Sequence, residues 1–146
     1  MHDSEIKEIF SKIFLDNIAI EQDVILINDK SFKREANFFD LSQDKKDQDK
    51  DQKKIQTTFG KEWLEYSNML TEYEDEFNNY FDIVPKEFFS KPNLALDVGC
   101  GKGRWSYEFL KRNPKITLVC LDISDAIYAA RDNLAEFNDR VIFIKA

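Results

Sequence analysis

Leu94-Ala95-Leu96-Asp97-Val98-Gly99-Cys100-Gly101-Lys102-Gly103-Arg104-Trp105 joins a short apolar run to a glycine turn and the opening of a helix. Glycines at the alternate positions 99, 101 and 103 remove side chains where a ligand approaches the backbone closely. The free N–H groups at the start of the following helix point at such a ligand. Asp97, two positions before the first glycine, places a carboxylate at the strand end. The stretch reads as a nucleoside-cofactor site.

Working outward, the residues downstream alternate between strand and helix patterns. A strand over Leu94–Val98 leads to a helix from about Gly103 to Arg112, with Trp105, Phe109 and Leu110 facing inward. Lys111 and Arg112 fall in its last turn, where positive charge suits the helix dipole, and Asn113-Pro114 stops it. Ile116–Leu121 reads as a second strand ending at Asp122. Ser124 is placed to cap a helix in which Ile127, Ala130, Leu134 and Phe137 share a face. Val141–Ile144 reads as a third strand. Near-continuous apolar strands in a βαβαβ run predict an α/β fold, a parallel sheet covered by helices. The expectation is the N-terminal half of a Rossmann-like doubly wound sheet, strand order 3-2-1. Right-handed crossovers put the first strand at one edge and the third at the other.

Upstream, Phe59, Trp63, Tyr66, Leu70, Tyr73, Phe77 and Tyr80 are spaced 4, 3, 4, 3, 4 and 3, one helical face. Most of this stripe is expected to be core. Trp63 stands apart, because a helix just before a nucleotide-binding domain often lids its pocket. Pro85 ends the segment, and Phe88 and Phe89 precede the loop at Pro92. The run Asp44–Lys54 has no apolar residue, and its four aspartates nearly cancel its five lysines. It reads as a flexible linker rather than a phosphate-binding patch. Before it, residues 4–14 form an amphipathic helix pattern. Residues 17–20 and 24–27 form a candidate hairpin, though its turn lacks glycine. Residues 31–41 are ambiguous, with Phe32, Phe38 and Phe39 as anchors. The divisions are therefore 1–42, a small α+β segment; 43–57, a linker; 58–90, an aromatic helical segment; and 91–146, the cofactor-binding domain.

Composition narrows the function classes. A chain of 146 residues with 42% hydrophobic residues and 13 Phe is long enough for a real core. Its net charge of −7 and lack of a basic stripe argue against nucleic acid and anionic membrane as partners. One histidine and no CxxC pair leave no protein-built metal site. Cys100 and Cys120 read as small buried apolar residues rather than a disulfide. The N-terminus lacks a signal-peptide pattern, and no run is long enough to span a bilayer, which predicts a cytoplasmic protein.

Three cofactor loops compete for Asp97–Gly103. A P-loop needs Lys-Ser/Thr after its last glycine, which Gly103-Arg104-Trp105 lacks. A dinucleotide loop, G-x-G-x-x-G/A, puts a small residue at position 104, where Arg104 stands. The pattern D-x-G-x-G-x-G is matched in full by Asp97, Gly99, Gly101 and Gly103. Here the chain resembles class I S-adenosylmethionine-dependent methyltransferases. The resemblance implies that S-adenosyl-L-methionine lies against Asp97, Val98, Gly99, Cys100, Gly101 and Gly103. Asp97 is then near the methionine ammonium, commonly through water, with the backbone of Gly99–Gly101 along the amino-acid moiety. It also implies that Asp122, 25 residues after Asp97, accepts the ribose hydroxyls and that Ile123 packs on the adenine. A carboxylate suits that work, since its two oxygens take two parallel O–H donors. Phe59-Gly60-Lys61-Glu62-Trp63 resembles a segment that precedes the domain in some type 11 members of the family.

The family's usual sheet has seven strands in the order 3-2-1-4-5-7-6, and three of them are legible here. The expectation is a fragment of a longer reading frame, or a partner chain that covers the open edge of Leu94–Val98. No catalytic residue is named. The leading expectation is methyl transfer to a small-molecule acceptor, with no nucleic acid and no membrane. A non-catalytic module that retains the fold, and an NAD-binding domain, stand as alternatives.

Overall fold

The computed structural model describes residues 1–14, 17–42, 57, 58, 60, 68–90 and 93–146. Trp63, Phe59 and Tyr66, and the whole charged run Asp44–Lys54, lie outside the described residues. Helix α1 (Asp3–Phe14) is followed by strands β1 (Ile18–Glu21), β2 (Val24–Ile27), β3 (Lys30–Glu35) and β4 (Phe38–Asp40). Then come α2 (Tyr73–Tyr80), α3 (Lys86–Ser90), β5 (Leu94–Val98), α4 (Arg104–Arg112), β6 (Thr117–Asp122), α5 (Ala126–Asn133) and β7 (Val141–Lys145).

Among the described residues the strands make one mixed sheet, in the order β1-β2-β3-β4-β7-β6-β5. β5, β6 and β7 run parallel, joined through α4 and α5. The first four strands form an antiparallel meander. β4 then lies parallel to β7, with Phe38 opposite Phe143 and Phe39 opposite Ile144. The sequence expectation that the third strand of the βαβαβ run closes an edge is therefore corrected: β7 is internal. The reason is in residues 31–41, whose alternation is broken by charges and whose short strands are set by turns. β2 and β3 are joined by Asn28 and Asp29, both at positive φ, 49° and 66°. That is the conformation a tight two-residue hairpin demands and Asn and Asp tolerate.

Successive residues of each strand face opposite ways, and in β6 and β7 both faces are dry. Leu118, Cys120, Val141 and Phe143 pack with Leu110 of α4 and Ile127, Ala130 and Leu134 on the α5 side. Their neighbours Val119, Ile142 and Ile144 pack on the other face with Ile6 and Phe10 of α1 and with Ile25 and Phe39. The N-terminal segment is thus the cover for half of the parallel sheet, which explains why apolar runs rather than alternation mark β6 and β7. β5 ends the sheet, and its Leu96 and Val98 are 46% and 69% exposed. Among the described residues no helix is long and apolar enough to cross a membrane.

Candidate functional site

The site is built where β5 and β6 end side by side. Asp97 pairs in register with Cys120, and Val98 with Leu121, so both strand ends release their chains at one level of the sheet. After Val98 the chain folds back onto β6: the N–H groups of Gly99 and Cys100 both donate to the Leu121 carbonyl, at 2.7 and 3.2 Å. The turn needs left-handed backbone three times, with φ of 77° at Gly99, 55° at Gly101 and 81° at Gly103. For any L residue but Asn or Asp this conformation is strained. A Cβ at Gly99 would meet no atom within 4 Å, so the space over that turn is open. A Cβ at Gly103 would come within 3.2 Å of Leu134 and 3.3 Å of Ala130. The close approach of loop to helix therefore falls at Gly103, and Arg104 points away to Glu76 of α2 at 3.1 Å.

Two carboxylates end the two strands, in different surroundings. Asp97 accepts a hydrogen bond from Ser106 of α4, at 2.5 Å. Burial pushes its carboxyl above the ordinary Asp range, Ser106 pulls the other way, and the charge of Asp122 adds to the rise. Asp122 is 8% exposed and its oxygens are well employed. Oδ2 accepts the Gly101 N–H at 2.8 Å, and Oδ1 accepts both the N–H and the hydroxyl of Ser124, at 2.8 and 2.7 Å. Of the roughly four acceptor positions on a carboxylate, three are filled by the protein. Asp122 is thus a brace that ties the glycine turn to the β6–α5 loop, with room for about one further donor.

Of the residues singled out from sequence, the structure gathers Asp97, Val98, Gly99, Cys100, Gly101, Gly103, Asp122 and Ile123 at this one end of the sheet. Val98 and Ile123 present apolar surface to solvent, 69% and 43% exposed. Trp63 falls outside the described residues. Cys100 and Cys120 are buried free thiols, and Cys120 beside Cys100, together with burial, raises the Cys100 thiol well above its usual value. Two contributors escaped the sequence reading. Ser106 is a polar residue one turn before Leu110 on the inward side of α4, and both are fully buried. An inward polar side chain needs a partner, and that need is the signal that would have found it. Lys102 is the other, only 3% exposed although its flanking glycines suggested an open loop.

Residues 82–146 match the family model described as Methyltransferase small domain. A tRNA (guanine-N(7)-)-methyltransferase of Christiangramia forsetii is 30% identical over 92 residues, which cover 58% of this chain and 41% of that protein. The chain thus spans about two fifths of the length of this curated relative. Among solved structures, an O-methyltransferase family protein from Burkholderia thailandensis aligns with a TM-score of 0.40 and 25% identity, over 50% of this chain and 25% of that one. The plantazolicin methyltransferase BamL, solved in complex with a triazolic desmethylPZN analog and SAH, aligns with a TM-score of 0.38 and 22% identity, over 66% and 33% of the two chains. The family match and the full D-x-G-x-G-x-G turn fall on the same residues, so over 82–146 the chain is similar to methyltransferases.

Proposed function

We propose that this chain supplies the cofactor-binding part of a methyltransferase that uses S-adenosyl-L-methionine and serves a small-molecule acceptor. The observation that carries the reading is the glycine turn between two carboxylates, with the cations within and just after the turn, Lys102 and Arg104, directed elsewhere. Lys102 turns back to the Asn68 carbonyl and Arg104 to Glu76, so neither is offered to a ligand over Gly99. A pyrophosphate there would meet Asp97 and Asp122 without compensation from Lys102 or Arg104, whereas an ammonium suits the two carboxylates. This supports the methionine-type ligand over a dinucleotide on grounds of charge as well as motif.

The residues present fit that ligand. Asp97 would face the ammonium, the open turn at Gly99 would admit the amino-acid moiety, and Ile123 would offer apolar surface to the adenine. Asp122 would take one ribose hydroxyl directly on its remaining acceptor position. A second hydroxyl would compete with Ser124 or Gly101. When bound, the cofactor supplies a methyl group on a sulfonium to a nucleophilic acceptor. The chain's own contribution is to hold that cofactor in one orientation, and orientation lowers the barrier of an in-line transfer.

A second reading, tRNA as acceptor, is favoured by the similarity to the tRNA (guanine-N(7)-)-methyltransferase of Christiangramia forsetii. The net charge of −7 weighs against it, because phosphate-backbone binding draws on Lys and Arg. Titration calorimetry with S-adenosylhomocysteine and, separately, NAD tests the main reading. Heat from S-adenosylhomocysteine alone is expected, and binding of NAD alone overturns it.

A further inference from the structure

Lys102 lies between two left-handed glycines at the tip of the turn, where a lysine is expected to reach solvent. It does the opposite. Its ammonium donates to the Asn68 carbonyl at 2.9 Å and sits 5.0 Å from the centre of the Tyr73 ring. The guanidinium carbon of Arg104, at the head of α4, lies 5.4 Å from the centre of the same ring, so two cations converge on one aromatic ring of α2. Tyr73 is itself 7% exposed. At its other end, the Lys102 carbonyl accepts the Asn133 side-chain amide of α5 at 2.9 Å. One residue of the turn is therefore tied to α5 through its backbone and to the approach to α2 through its side chain.

We propose that Lys102 is a positioning residue for the cofactor: with Tyr73 it clasps the start of α2 to the glycine turn and thereby sets the shape of the surface the cofactor meets. A methionine of similar length would fill the same space with no charge to desolvate. What the ammonium adds is direction, because it fixes the distance between the Asn68 carbonyl and the backbone of residues 101–103. Tyr73 is the other jaw, and the two side chains act as one unit. This rests on the reading of Asp97–Gly103 as the cofactor turn.

Two readouts test it, one of them independent of any ligand. In the ligand-free protein, Lys102→Met is expected to speed amide hydrogen exchange at residues 101–104 by about tenfold, the loss of one desolvated charged contact. The thermal midpoint should move by no more than a few degrees. Unchanged exchange, or a collapse of the fold in both Lys102→Met and Tyr73→Leu, overturns the clasp and leaves Lys102 as packing. In calorimetry, each variant is expected to weaken S-adenosylhomocysteine by about tenfold, and the double variant no more than the weaker single, since coupled partners are not additive. Faster exchange with unchanged affinity, or additive losses, overturns the link to the cofactor. Failure of the unaltered chain to bind S-adenosylhomocysteine would count against the proposed function, while hydrogen exchange would still decide the clasp.

Discussion

The two halves of the sheet are made by different means. β1–β4 are joined by two-residue turns, so every strand finds its partner within a few positions of the chain. β5–β7 are joined through helices, and each strand waits for a crossover before it can pair. The second half releases the β5–α4 and β6–α5 loops at one end of the sheet, and there the carboxylates and glycines collect. The local half supplies cover, through Ile25, Phe39 and the helix α1 packed beside them. The difference teaches that cover and chemistry are separable here even though they share one sheet, and that separation can be tested by substitution.

The largest effect is expected from Phe39→Ala. Its ring is fully buried, 4.6 Å from the Phe10 ring, and it lies beside β7. Truncating a buried Phe costs about 3–5 kcal/mol, measured by chemical denaturation. If the two halves are separable, S-adenosylhomocysteine affinity of the molecules that remain folded stays unchanged. A loss of affinity in step with stability would break the comparison. Next comes Gly103→Ala. The left-handed backbone costs about 1–2 kcal/mol for an L residue, and the new methyl crowds Leu134 and Ala130. Here affinity should fall together with stability, because the substitution sits inside the turn that binds.

Ala36→Gly is the mirror of that experiment in the other half. Ala36 holds φ at 55° in the turn between β3 and β4, a place where glycine is at ease. The substitution is expected to stabilise the protein by about 1 kcal/mol, raising the denaturation midpoint with no change in affinity. The smallest effect on stability comes from Asp97→Asn, and its sign depends on pH. The folded protein holds the Asp97 proton more tightly than the unfolded chain does. Stability from this group is therefore present below the ordinary Asp pKa and is lost as pH rises through the raised folded value. At neutral pH the Asn variant should unfold at a higher temperature than the parent. The gain should vanish in acid, and affinity for S-adenosylhomocysteine should fall at neutral pH. No gain at neutral pH would sink the account of Asp97.

The parallel half was legible in sequence because its determinants are local and of several kinds at once. Three glycines, a stop at Asn113-Pro114 and apolar runs at Leu118–Leu121 and Val141–Ile144 all agree. The resulting helix α4 and strands β5–β7 lie within a residue or two of the expected positions. The hairpin of β1 and β2 was legible as well, although its turn lacks glycine: Gln22 takes the positive φ, 37°. What sequence left ambiguous was β3 and β4, because Lys30, Lys33, Arg34 and Glu35 mask the alternation. Arg34 shows why. It is 8% exposed, bonds Asp3 and the Ala36 carbonyl, and lies 5.5 Å from the centre of the Phe39 ring, so a charged residue fills a core-facing position. At the site, the places of Asp97, Asp122 and the glycines at the ends of β5 and β6 followed from the strand pattern, while their roles toward a ligand come from the resemblance. The use of Asp122 as a brace and the inward turn of Lys102 depend on residues 21 and 34 positions away, beyond the reach of any local pattern.

The most direct measurement is the amide spectrum of the isotope-labelled chain titrated with S-adenosylhomocysteine. The account predicts shifts concentrated at residues 97–103 and 122–124, with β1 to β3 unmoved. Shifts centred on the meander, or none at the glycine turn at saturating ligand, would contradict it.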